Sequence, residues 1–195
     1  MKKSVKGRIF VISGPSGSGK TTLAEKLTAG ADFRRKFVKS VSFTTRPKRS
    51  GEKHGRDYFF ISRQEFKKAL QAKKILEWTR YLEYYYGTPK EFVDRQLESG
   101  KHMVMCLDLR GAKRIKRIYP RNSVTIFVEP PSLETLKERI AGRCSKTADA
   151  EIQQRLKLAK KELLEADKFD YSLVNKKLGN ASRDLKKIVL SYIGK

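Results

Sequence analysis

Arg8-Ile9-Phe10-Val11-Ile12-Ser13-Gly14-Pro15-Ser16-Gly17-Ser18-Gly19-Lys20-Thr21-Thr22 joins a short apolar run to a glycine-rich turn and then to a helix-forming stretch. The run Ile9–Ile12 reads as a buried strand of a parallel sheet, where both faces are covered and apolar residues need not alternate with polar ones. Gly14 to Thr21 satisfies the pattern G-x-x-x-x-G-K-[ST] in the strand-to-helix setting that its mechanism requires. The glycines let the backbone fold back so that successive amides point at phosphate oxygens, and the N-terminus of the following helix adds its partial positive charge. Lys20 is placed to reach the β- and γ-phosphates of a nucleoside triphosphate, and the Thr21 hydroxyl to ligate Mg²⁺.

The helix after this loop is expected to start near Lys20. Beyond it, His102–Leu107 and Ser123–Val128 are further buried-strand candidates, each followed by a helical stretch, near Ala112–Arg117 and Leu133–Ala141. This is the alternation of a parallel-sheet α/β domain. Ile152, Leu156, Ala159 and Leu163 recur at helical spacing, as do Leu185, Ile188, Val189 and Tyr192, with Tyr171–Val174 as a last strand between them. The middle, roughly Val38–Thr88, breaks the rhythm with short extended pieces: Phe37–Phe43, Asp57–Ile61, Ile75–Thr79 and Tyr84–Tyr86. It reads as an insertion into the core. Ser62-Arg63-Gln64-Glu65 is a capping box opening a helix from Arg63 to about Ala72. Thr88-Pro89-Lys90-Glu91 repeats that start signal with proline at the first helical position, for a helix Pro89–Ser99 stopped by Gly100.

At 195 residues the chain is the size of one domain. With 45 Lys plus Arg against 21 Asp plus Glu, its formal charge is +24, so its partners should be anionic. Hydrophobic residues at 38% exclude a disordered basic tail. The apolar runs are far short of the ~20 residues that cross a bilayer, so no membrane partner is expected. Met1-Lys2-Lys3 leads into a run too short for a signal-peptide core, which points to the cytoplasm. Cys106 and Cys144 make no disulfide framework and no metal motif. Trp78, Tyr84 and Tyr85 read as packing residues.

A second constellation follows the loop. Ser40-Val41-Ser42-Phe43-Thr44-Thr45-Arg46-Pro47-Lys48-Arg49-Ser50-Gly51-Glu52, then Gly55 and Asp57-Tyr58-Phe59-Phe60, resembles the acceptor-binding segment of guanylate kinases. So do Ile75-Leu76-Glu77-Trp78, Tyr85-Tyr86-Gly87-Thr88 and Asp108-Leu109-Arg110-Gly111. The resemblance covers nearly the whole chain in order and spacing. It implies one guanylate kinase-like domain over residues 1–195: a P-loop parallel sheet with flanking helices (about 1–37, 89–141 and 152–195), a small mixed-β acceptor-binding insertion (about 38–88) and a mobile helical lid (about 142–151). The implied reaction moves the γ-phosphate of ATP, with Mg²⁺, to GMP, giving ADP and GDP, and dGMP is compatible as acceptor. No oligomeric state is implied.

Carried over residue by residue, Arg46, Arg49, Tyr58 and Tyr86 resemble the clamp on the GMP phosphate, and Ser42, Glu77, Thr88 and Asp108 the residues around guanine. Gly14, Pro15, Ser16, Gly17, Ser18, Gly19, Lys20, Thr21, Thr22, Arg139 and Asn175 resemble the ATP site, and Arg143 and Arg155 the lid arginines. Lys20, Arg46, Arg143 and Arg155 are then the catalytic group and Thr21 the metal ligand. The chemistry of the residues agrees. Guanidinium forks suit a phosphate dianion, and one carboxylate, Glu77, can accept from guanine N1–H and the 2-amino group together, a pattern that adenine reverses.

Two departures stand out. The family usually has an acid where this chain has Cys106, and the lid lacks the usual run of glutamates. Competing readings are an interaction module, a P-loop kinase for another acceptor, and a nucleic-acid-dependent NTPase. The first loses force because Lys20 and Thr21 are intact. The last is supported by net charge alone, with no sequence-reading element, so no specific nucleic-acid partner is expected.

Overall fold

The computed structural model describes residues 7–81, 83–142 and 149–193. The chain runs β1 (Ile9–Ser13), α1 (Lys20–Ala29), α2 (Ala31–Lys36), β2 (Phe37–Lys39), β3 (Phe43–Thr44), β4 (Phe59–Phe60), α3 (Arg63–Gln71), β5 (Ile75–Tyr81) and β6 (Tyr84–Pro89). It continues through α4 (Lys90–Glu98), β7 (His102–Cys106), α5 (Leu109–Ile118), β8 (Ser123–Glu129), α6 (Leu133–Ala141), α7 (Asp149–Leu163), a 3₁₀ turn at Ala166–Lys168, β9 (Tyr171–Val174) and α8 (Leu178–Ile193).

All five residues of β1 are buried because the strand sits at the centre of a five-stranded parallel sheet ordered β2-β7-β1-β8-β9. Its alternate side chains feed two cores. Phe10 and Ile12 pack with Leu23, Ala24 and Leu27 of α1 and with Ala181, Leu185 and Val189 of α8. Ile9 and Val11 pack with Val93 and Leu97 of α4 and with Ala112 and Ile115 of α5. The helices that follow the adjacent strands β1 and β7 thus leave for opposite faces. That topology opens a crevice at the strands' carboxyl ends, where ligands of open α/β sheets bind.

The second sheet, ordered β4-β3-β6-β5, is mixed: β3 pairs parallel with β4 and antiparallel with β6, which pairs antiparallel with β5. The extended piece expected over Phe37–Phe43 is divided between the sheets. Phe37–Lys39 pair with His102–Val104 in the core, and Phe43 begins the mixed sheet. The Asp57–Ile61 strand contracts to Phe59–Phe60. Helix α2, capped by Gly30 with no side-chain bond, carries no local start signal and is an addition to the elements expected from sequence. The capping box of α3 forms as expected, Ser62 Oγ accepting from Glu65 N and Glu65 Oε2 accepting from Ser62 N.

The next start signal works differently. Pro89 is itself the cap and α4 begins at Lys90, because Thr88 belongs to β6 and gives its hydroxyl to Glu77. Trp78 is a correction in part: its ring meets Tyr85, but it is 47% exposed and not a core residue. The expected lid falls mainly on residues 143–148, outside the described residues.

Phe66 fastens α3 to the mixed sheet. It is fully buried and stacks on Tyr85 at 5.4 Å between ring centroids, and a Cβ on Gly87 would approach its ring to 3.1 Å. Phe66→Ala removes this brace beneath the strands that carry Glu77, Tyr86 and Thr88. We expect a loss of about 3–5 kcal/mol, read as a lower urea midpoint at unchanged m-value.

Candidate functional site

Two groups of side chains converge on the crevice. In the first, Gly14, Gly17 and Gly19 all hold positive φ (132°, 94° and 96°), a conformation open to glycine. The loop is also closely walled. A Cβ on Gly14 would run into the Val128 carbonyl, one on Gly17 would lie 2.9 Å from Leu136 Cδ1, and one on Gly19 would collide with the Asn175 amide. Helix α1 starts at Lys20 with no side-chain cap, so its first amides are left for a ligand. Lys20 Nζ donates to the Gly14 and Pro15 carbonyls at 2.6 and 2.8 Å, which suspends the ammonium over the loop. Thr21 and Thr22 are exposed beside it.

Asn175, buried at the end of β9, donates from Nδ2 to the Ser18 carbonyl at 2.8 Å, and its own backbone carbonyl accepts from Arg139 Nη2 at 3.0 Å. The Arg139 guanidinium is therefore turned to the loop instead of to Glu138. Ser13 Oγ, Ser18 Oγ, Arg139 Nη1 and Asn175 Oδ1 are buried and have no hydrogen-bond partner among the described residues. Such atoms are costly unless a ligand or water meets them, and four gather around one loop. Arg155 of α7 donates to Glu151 Oε1 from Nε at 3.0 Å and from Nη2 at 2.5 Å, and its Nη1 lies 3.4 Å from Ser16 Oγ. It is at once the helix-surface ion pair that its spacing permits and a cation at the loop. Arg143 lies outside the described residues.

The second group is built on the mixed sheet. Arg46, 9% exposed, donates from Nη2 to Glu52 Oε1 at 2.7 Å and from Nη1 to the Pro47 carbonyl at 2.8 Å. Its guanidinium stands 5.5 Å from the Tyr58 ring, which meets Tyr86 edge-on at 5.9 Å. The Glu52 bond, offset in part by burial, raises the Arg46 pKa, so this cation stays charged. Glu52 Oε2 also accepts from the Arg49 amide at 2.8 Å, and the Arg49 side chain is exposed. Ser42, half-buried, precedes β3, and its carbonyl accepts from the Phe59 amide at 2.8 Å.

Glu77 is buried on β5 and accepts the Thr88 hydroxyl. Among the described residues it has no ion pair. Burial pushes its carboxyl up to about 7, against the Thr88 hydrogen bond and with a contribution from the charge of Asp108. Asp108 caps α5, its Oδ1 accepting from Gly111 N at 2.8 Å, and a Cβ on Gly111 would lie 2.8 Å from Glu77 Oε2. Two carboxyl groups and a hydroxyl thus line a place suited to a ligand edge rich in N–H donors.

The strands bring the groups together. Ile12 pairs with Cys106, so the phosphate loop and Asp108 leave the carboxyl ends of neighbouring strands, about 4.8 Å apart in such a sheet. Cys106 itself is a poor substitute for an acid. Its Sγ faces the Lys20 carbonyl at 3.8 Å, and burial raises the thiol to about 11, so it stays protonated. Among the described residues no group of three or more His, Cys, Asp or Glu side chains could hold a metal. The exposed Thr21 hydroxyl together with phosphate oxygens would be a hard-oxygen donor set of the kind that suits Mg²⁺, which keeps much of its water.

Two residues escape a reading of the sequence. Glu52, which anchors Arg46, stands in the acceptor segment with no role that its spacing declares. Glu162 of α7 is half-buried, its pKa raised by burial, lowered by the charge of Lys20 and raised by that of Asp108, so it feels both sides of the crevice. A signal for it exists: Glu162 stands at helical spacing from Arg155 and Ala159, on the inward face.

A parallel sheet with a glycine loop for phosphate at its centre, joined to a small second sheet bearing an arginine and a buried carboxyl, defines a protein of the P-loop nucleotide-binding class. Known proteins narrow the class. The guanylate kinase family model matches residues 6–192. Guanylate kinases of Bacillus anthracis and Thermotoga maritima are 41% and 43% identical, each covering 96% of this chain and 90% and 88% of the relative. The crystal structure of guanylate kinase from Anaplasma phagocytophilum superposes with a TM-score of 0.73 at 29% identity, over 96% of this chain and 87% of that one. This chain belongs to the guanylate kinase family.

The buried carboxyl gives a thermodynamic test. The folded value of Glu77, about 7, lies above the ordinary 4.5, so the fold holds an extra proton between those values and loses stability as pH rises through them. The full penalty, on the order of 3 kcal/mol, applies above about pH 7 and vanishes below about 4.5. Glu77→Gln should therefore raise the melting temperature at pH 8 and leave it nearly unchanged at pH 4.5. Equal effects at both would contradict the burial argument.

Proposed function

We propose that this protein transfers the γ-phosphate of ATP to GMP, producing ADP and GDP, with the donor held by the glycine loop and the acceptor by the mixed sheet. The observation that carries the reading is the buried Glu77 carboxyl under the Thr88 hydroxyl, beside Asp108. Ionised, Glu77 accepts N1–H and the 2-amino group of guanine. Offered adenine, it would meet an acceptor where it needs a donor, and such mismatches reach roughly 10⁴ to 10⁵ in discrimination.

Each side chain has a task. The amides of Gly14 to Thr21 cradle the β- and γ-phosphates, and Lys20 exchanges the Gly14 and Pro15 carbonyls for phosphate oxygens. Thr22 extends that end of α1. Arg139 and Asn175 meet the donor nucleotide while Asn175 keeps the loop in shape. Arg46, preset by Glu52, forms the acceptor phosphate clamp with Arg49 and the hydroxyls of Tyr58 and Tyr86. Ser42 and Asp108 complete the guanine pocket. Arg155, joined by Arg143, brings positive charge to the transferred group, whose transition state asks mainly for position and electrostatic support. Mg²⁺ on Thr21 and the phosphates would neutralise charge on the donor.

The division into a core (about 1–37, 89–141 and 152–195), an acceptor insertion (about 38–88) and a lid (about 142–151) is part of the same proposal. It makes binding of both nucleotides a closure of one part over another. Among the described residues no helix is long and apolar enough to cross a membrane. Both substrates are soluble nucleotides and Cys106 is held as a thiol, and we place the enzyme in the cytoplasm.

A coupled assay with ATP, Mg²⁺ and each of GMP, dGMP, AMP, UMP and CMP tests the reading. Turnover is expected with GMP and dGMP far above the rest. Glu77→Ala should lower kcat/KM for GMP by about 10²-fold or more while shifting KM for ATP little. AMP as the better acceptor would overturn the assignment of the base pocket.

A further inference from the structure

The exposed face of α5 carries Arg110, Lys113, Arg114 and Arg117, at the spacing that stacks side chains along one side of a helix. This row forms one wall of a groove of about 730 Å³. Trp78 of β5, Lys73 in the turn after α3, and Lys90 also line it. A second hollow, of about 240 Å³, continues the track past Lys113 and Arg117 to Lys168.

The groove shares Glu77 and Gly111 with the guanine pocket but none of Ser42, Arg46, Arg49, Tyr58, Tyr86, Thr88 or Asp108. Its charge is poorly neutralised. Lys113 pairs with Glu165 and Lys90 with Asp94, and Arg114 Nε lies 3.4 Å from the Leu76 carbonyl, whereas Lys73, Arg110 and Arg117 enter no ion pair among the described residues. Trp78, an aromatic face 47% exposed beside these cations, touches Tyr85 at 5.9 Å between ring centroids.

We propose that this groove binds single-stranded nucleic acid without regard to sequence, its phosphates running along Arg110, Arg114 and Arg117 and a base stacking on Trp78. The row from Arg110 to Arg117 rises about 10.5 Å along the helix axis, long enough for successive phosphates of a strand and too long for one phosphate group. An exposed aromatic beside a cationic track is the arrangement that holds unpaired bases, because every base has a π-face. A duplex keeps its bases stacked and offers Trp78 nothing. An acidic protein segment would satisfy the arginines but leave the indole without a flat partner. The surplus charge of the chain, far above what two nucleotides require, thereby acquires a place where it is concentrated.

Trp78 is the chain's single tryptophan, so its fluorescence reports on the groove. The experiment titrates the protein with an oligouridylate of about 12 nucleotides, which presents neither guanine nor a triphosphate, with GMP at saturation. We expect saturable quenching whose affinity falls steeply with salt. Arg114→Ala combined with Arg117→Ala should weaken binding at least tenfold and reduce the salt slope by about 1.4, the value for two phosphate contacts on a single strand. Trp78→Ala, followed by anisotropy of a labelled strand, should weaken it about fivefold or more.

GMP turnover of the double variant should stay within twofold of the parent. Binding without quenching would place the strand elsewhere, and an unchanged double variant would do the same. Equal quenching by a glutamate peptide of similar charge would make the groove a site for acidic protein segments. A parallel loss of GMP turnover would assign the groove to the acceptor pocket. Each of these results overturns the proposal.

Discussion

A backbone that is to cradle phosphate must present its amides to a ligand and still be packed on every other side. Here that constraint falls on Gly14, Gly17 and Gly19, whose missing side chains make room for the Val128 carbonyl, Leu136 and the Asn175 amide. The five-stranded sheet is arranged to supply those walls. β8 lies directly against β1 and contributes Val128, α6 contributes Leu136, and β9 ends at Asn175, whose amide group holds the Ser18 carbonyl. The phosphate loop is thus shaped by three elements remote in sequence. Its buried Ser18, Arg139 and Asn175 atoms, without hydrogen-bond partners among the described residues, are the kind that a ligand or water completes.

The same sheet sets the distance between donor and acceptor. Because β7 neighbours β1, the cap of α5 emerges beside the phosphate loop, and Asp108 becomes a point shared by the helix and the pocket we assign to guanine. Glu77 approaches from the second sheet. Its burial opposes ionisation, and the Thr88 hydroxyl offsets only part of that opposition. In the reading proposed above, a purine bringing N–H donors would supply the rest, which would couple acceptor choice to the cost of burying Glu77.

Local signals are legible where the partners are local. The Ser62–Glu65 capping box is closed by neighbours three residues away, the run Ile9–Ile12 and the glycine spacing are readable as local patterns although their packing partners are remote, and the strand Tyr171–Val174 has the ends its pattern predicts. Thr88 misleads because its hydroxyl partner lies 11 residues back on another strand, which no start signal encodes. Phe37–Phe43 looks continuous because pairing with β7 and with β6 leaves similar apolar patterns. The acceptor residues are legible only through the resemblance. Composition alone makes Arg46 one cation among 45, and what distinguishes it is its burial against Glu52 and Tyr58. Trp78 reads as core because large aromatics usually are, and its exposure depends on the unpaired edge of β5.

The central claim is that two nucleotides meet head to head across the carboxyl ends of β1 and β7. A single ligand tests it most directly: adenosine and guanosine joined through their 5′ oxygens by five phosphates, titrated calorimetrically. If the pockets face one another, it binds at least about 10²-fold more tightly than ATP or GMP alone and is displaced by either. Affinity no better than that of one nucleotide, or displacement by only one of the two, would contradict the account.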